Sequence, residues 1–207
     1  MPVTINGSTG ISGVDGSAGT PALIGSDADT GIFVAAGQVS ASINGTAGNV
    51  PLVSGTAQNS TSGTSIDFTG IPSWVKRVTV MLNEVSTNGS SAMQIQIGAG
   101  SITSSGYTGY ATRIGAAPNN VYTAMSAGFL FSDNQSATAT RSGLFVLTNI
   151  SSNNWVLSGS CGSSTTTGDT CLVNGKVSLS GTLDRVRITT VNGTDTFDAG
   201  SINIMYE

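Results

Sequence analysis

Catalysis needs titratable or nucleophilic side chains held close together, and this chain offers few of them. It has no histidine, which excludes a histidine-based triad, a histidine-ligated metal and a histidine pH switch. Its acids are nine Asp and two Glu among 207 residues, and Glu84 is the only internal Glu. A sugar-cleaving site would need a second carboxylate beside it. The available partners, Asp133, Asp169, Asp184, Asp195 and Asp198, all lie near turn signals, where Asp ordinarily hydrogen-bonds its own backbone. Gly98-Ala99-Gly100 does not match a phosphate-binding loop and no helical pattern follows it, so it reads as a turn. These residues predict a protein that is not an enzyme.

The remaining chemistry is binding and cross-linking. Cys161 and Cys171 flank a polar loop, and two cysteines without histidine cannot complete a zinc site within one chain. They are a candidate disulfide; the competing reading is a pair of small thiols. Asp27 and Asp29 offer oxygen ligands, but calcium takes about six to eight of them. Copies related by a trimer axis would supply the rest, so this pair is a candidate axial calcium site, with turn formation as the alternative. No other cofactor and no metal site are assigned. For binding, one segment concentrates aromatic and polar tips: Tyr107, Tyr110 and Arg113, followed by Asn119, Asn120 and Tyr122. Such side chains suit a sugar or protein surface. The competing reading is a set of strand residues half buried against a neighbour. The loop Ser158–Cys171 is a second candidate.

These residues must be held by strands. Ser, Thr, Gly and Asn make up 100 of the 207 residues, while the charged residues that normally coat helices are scarce. No amphipathic helix is visible. From about residue 65 apolar residues recur at every second position: Val78, Val80 and Leu82; Met93, Ile95 and Ile97; Phe129 and Phe131; Phe145 and Leu147; Trp155 and Leu157; Val177 and Leu179; Val186 and Ile188; Ile202, Ile204 and Tyr206. This is the period of half-buried strands. Asn174-Gly175 is the strongest two-residue hairpin signal between them. The fold class is therefore all-β, an antiparallel sandwich or jelly roll over residues 61–207.

Residues 1–60 differ. The first 75 residues carry Asp15, Asp27, Asp29 and Asp67 and no base, so the whole net charge of −4 lies there. Eleven glycines and short apolar pairs leave residues 1–60 too little core to fold alone, which predicts an extended arm ordered by its own copies or by a partner. A net charge of −4 with few, scattered cations argues against nucleic acid. No apolar run approaches the roughly 20 residues of a membrane span, and the N-terminus lacks the pattern of a signal peptide. That predicts a chain that works inside the cell or leaves it within a particle.

Two stretches resemble bacteriophage tail-fibre and other receptor-binding fibre proteins. Thr20-Pro21-Ala22-Leu23-Ile24, followed by Asp27-Ala28-Asp29-Thr30-Gly31-Ile32-Phe33 and Ala35-Ala36, is similar to an element of fibre shafts. Phe68-Thr69-Gly70-Ile71-Pro72-Ser73-Trp74-Val75-Lys76, with the closing strand Phe197 to Glu207, is similar to the terminal sandwich of such fibres. The basic stretch and the Gly-Asn-Val-Gly repeat usual after the shaft element are missing here, which favours a short stalk. The resemblance implies a homotrimeric virion fibre subunit. It would dock on other tail, baseplate or capsid proteins through residues 1–60 and attach to a host-surface glycan or protein through the sandwich. A capsid decoration or head-fibre protein would share the plan, and a polysaccharide-cleaving spike is the enzymatic alternative.

Overall fold

The computed structural model describes residues 52–115, 121–131, 136–163 and 169–207, together with the backbone of four short strands before residue 52. Those four are β1 (Leu23–Ile24), β2 (Gly31–Ala35), β3 (Gln38–Ile43) and β4 (Thr46–Ala47), and they form one antiparallel sheet in sequential order. The apolar residues of the shaft-like motif fall on β1 and β2, where Leu23 pairs with Ile32 within the same chain. Asp27 and Asp29 lie outside the described residues.

The chain divides into two compact units, Met1–Pro51 and Leu52–Glu207. Residues 53–59, which the composition placed with the arm, belong to the second unit. Their strands β5 (Val53–Ser54) and β6 (Gln58–Asn59) pair with the last strand of the chain, β18 (Phe197–Tyr206). Each is only two residues long, so its order comes from that partner and not from its own sequence.

The second unit is an all-β, antiparallel, sandwich-like fold. One sheet has nine strands. Along it run β12 (Val121–Ala124), β11 (Thr108–Ile114), β16 (Thr170–Ser178), β15 (Asn154–Ser163), β14 (Arg141–Ser151), β8 (Arg77–Thr87), β18 and β5, with β6 also on β18. The other sheet runs β10 (Ser101–Ile102), β9 (Met93–Ala99), β17 (Arg185–Thr190) and β7 (Ser65–Thr69), with β13 (Phe129–Leu130) paired to β9. The inward residues of both sheets form one core, including Val78, Val80, Phe145, Leu147, Leu157 and Ile204 from the large sheet and Ile66, Ile95, Ile97, Val186 and Ile188 from the small one. Burial alternates along β14, β15 and β16, as expected when one face of a sheet meets a core and the other does not. Trp155 is part of this core, whereas Trp74 is 40% exposed and leans against Tyr206, ring centroids 6.0 Å apart.

The expected hairpin at Asn174-Gly175 is a correction. Strand β16 passes straight through it, with Asn174 opposite Tyr110 and Gly175 opposite Gly109. A Cβ on Gly175 would meet Met125 Sδ and Phe129 Cδ1 at 3.0 Å each. The glycine therefore serves close packing of the sheet on the core, the other common reason for glycine in a strand. The tight turn lies instead between Ser151 and Asn154, where Ser152 takes φ 47° and its carbonyl accepts a hydrogen bond from Asn149 Nδ2 at 2.9 Å.

Candidate functional site

Strand β11 sorts the expected binding residues by parity, because successive side chains point to opposite faces of a sheet. Tyr107, just before it, points inward and is 2% exposed. Its ring meets Phe129 edge to face at 4.9 Å. Its hydroxyl accepts from the Ile97 amide and donates to the Thr103 carbonyl, both at 2.9 Å. Burial pushes its pKa up to about 12, partly opposed by the Ile97 amide. Tyr107 is thus a core residue and drops out of the candidate surface. Tyr110 points outward and is 62% exposed. Arg113 shares the inward parity of buried Ala111 and lies 3.8 Å from Asp169. Tyr110 and Arg113 are therefore not brought together. Tyr122 stands opposite Thr112 in the register of β12 against β11, while Asn119 and Asn120 lie outside the described residues.

The structure adds neighbours that the sequence had hidden. On the outer face of the large sheet, Tyr110 stands opposite Asn174, and Thr108 stands opposite Lys176. Val156 and Ser158 of β15 continue these two rows. Leu172 and Leu144, with Ile114 at the rim, add apolar area; they are 43%, 56% and 46% exposed. Alternation would have found Leu172, Asn174 and Lys176, since Cys171, Val173 and Val177 between them are buried. Reading Asn-Gly as a turn broke that pattern in the middle.

The charges of this face are unusual. No acid occupies an outward position on β11, β14, β15 or β16 among the described residues. All five arginines have carboxylate partners: Arg77 with Glu207, Arg113 and Arg141 with Asp169, Arg185 with Asp184 and Arg187 with Asp67. Lys176 belongs to none of these pairs. It lines a cleft of about 540 Å³ at the end of the face, together with Thr108, Ile150, Asn154, Val156 and Ser178.

The cysteines sit inside the same sheet. Cys161 and Cys171 are direct cross-strand neighbours, both buried, and no disulfide joins them here. The hydrogen bond to Cys171, with burial behind it, pushes the Cys161 thiol well above the usual range. Beside them Arg141 is 1% exposed and hydrogen-bonded to the Asp169 carboxylate. Burial, the largest single influence, lowers the Arg141 pKa, but the opposing influences, led by the hydrogen bond to Asp169, leave it raised overall.

Glu84, the acid weighed for catalysis, is exposed at a bulge of β8 with φ 51°. Ser73 and Lys76 stand at Ser-x-x-Lys spacing on an exposed turn closed by the Val75 amide and the Pro72 carbonyl. They lack the helical turn that stacks residues three apart. No group of three or more His, Cys, Asp or Glu that could hold a metal occurs among the described residues. Compared with models of protein families, with curated proteins and with solved structures, the chain matches none.

Proposed function

We propose that this protein is a non-catalytic binding subunit of a virion fibre. Its sandwich, residues 52–207, attaches to a saccharide on a host cell through the outer face of the large sheet. The observation that carries the binding reading is that face: open, free of acids on four adjacent strands, and presenting Tyr110 at 62% exposure beside Asn174. An aromatic ring offers apolar area to the C–H faces of a sugar, and neighbouring amide and hydroxyl groups take its hydroxyls. The placement on a fibre rests on the resemblance of residues 20–36 and 66–81 to fibre elements. In such a fibre three copies add avidity to weak single-site binding without further chemistry.

The test is an array of bacterial surface polysaccharides probed with the fluorescently labelled full chain and with Tyr110→Ala. The proposal expects retention of the wild type on a subset of polysaccharides and loss of that signal in the variant. Retention on none of them, or equal retention of the two proteins, would contradict it.

A further inference from the structure

We infer that the cleft beside Tyr110 is the subsite for an acidic sugar, with Lys176 receiving its carboxylate. This rests on the saccharide-binding reading and gives it a ligand class. The cleft holds about 540 Å³, room for more than one sugar ring, and lies at the turn end of the large sheet. Among the described residues that line it, the one charged side chain is Lys176, an exposed residue, and none is a carboxylate. Elsewhere in the sandwich the arginines are already matched to acids, so their charge is committed to the fold. An ammonium with no carboxylate partner among the described residues, at the wall of a cleft, favours an anionic ligand group by charge complementarity. A lone point charge suits a single carboxylate of one ring.

The rest of the lining suits a sugar. Ile150 is 65% exposed and, with Val156, gives an aliphatic wall for ring C–H groups. Ser178 donates its hydroxyl to Asn154 Oδ1, which turns the amide so that its Nδ2 remains a donor. Thr108 stands directly across from Lys176 and adds a hydroxyl. Tyr110 lies one outward position further along β11, so one saccharide chain can touch the ring and the ammonium together.

The experiment uses the full chain in saturation-transfer NMR and calorimetry. The probes are oligosaccharides of galacturonate, glucuronate, mannuronate and sialic acid, each paired with its carboxylate methyl ester. The expected result is binding of at least one acid form, about tenfold weaker as the ester, because one charge-assisted hydrogen bond is lost. Lys176→Met should bind the acid no better than wild type binds the ester, with an unchanged melting temperature as the control for folding. Added salt should weaken the acid form more than the ester. Equal affinity for acid and ester, or an undiminished Lys176→Met, would overturn the acidic-sugar inference. If neutral sugars still bound and Tyr110→Ala lost them, the saccharide reading would survive that outcome. Binding of no sugar, acidic or neutral, would overturn both.

Discussion

Replacing Asp169 with Asn should lower the stability of the sandwich more than any surface charge change. Asp169 accepts hydrogen bonds from both terminal nitrogens of Arg141 and lies 3.8 Å from Arg113, so one carboxylate answers two cations on β14 and β11. Arg141 is 1% exposed, on a strand flanked by β15 and β8, so its side chain is cut off from bulk water. The variant leaves that guanidinium buried without its counter-charge, a change that costs about 3–5 kcal/mol in comparable pairs. For a domain of this size that corresponds to roughly 6–20 °C in melting temperature. The assay is thermal unfolding of the full chain followed by circular dichroism, with Arg141→Met added as a second substitution. An apolar side chain of similar length in place of the stranded cation should recover most of the loss, because replacing both partners of a buried pair is often close to neutral. A loss under about 1 kcal/mol, the range of an exposed ion pair, would refute the reasoning. So would a double variant no more stable than Asp169→Asn alone.

Other expectations follow from the same interior. Tyr107 has a folded-state pKa of about 12 against an ordinary 10, so its neutral form is favoured by folding. Its contribution is complete below pH 10 and is lost as pH rises towards 12, a span of roughly 2–3 kcal/mol. Tyr107→Phe should flatten that alkaline fall in melting temperature, and an unchanged slope would count against a buried phenol. Cys161 and Cys171 are 2% and 1% exposed, so both should resist iodoacetamide in the native protein and react once denaturant is added. Labelling in the native state at the rate of a free thiol would contradict their burial. Labelling that needs a reductant as well as denaturant would show that the pair is bonded in solution.

The strands were legible where one face is buried and the other is not. Val78, Val80 and Leu82, Phe145 and Leu147, and Ile202 and Ile204 recur at every second position, and all of them reach the core. What could not be read was long-range. β5 and β6 carry no pattern of their own and exist because β18 offers an edge. The pairing of β8 between β14 and β18 joins residues far apart in sequence, which local periodicity does not encode. The candidate surface was half legible for a related reason. Tyr107 and Tyr110 looked alike in a Gly-rich stretch, and only the strand over Thr108–Ile114 gives them opposite directions. Lys176 was hidden by an Asn-Gly pair whose glycine answers to Met125 and Phe129 and not to a turn.

The central claim is that the outer face of the large sheet does the binding. Its most direct test is a titration of the isotopically labelled full chain with a polysaccharide fragment that the wild type retains on the array, followed by amide chemical shifts. Shifts concentrated on Thr108, Tyr110, Asn174, Lys176 and Val156 are the predicted result. Shifts confined to the small sheet, or to the turns around Asn88 and Asn192, with these five residues unmoved, would contradict it.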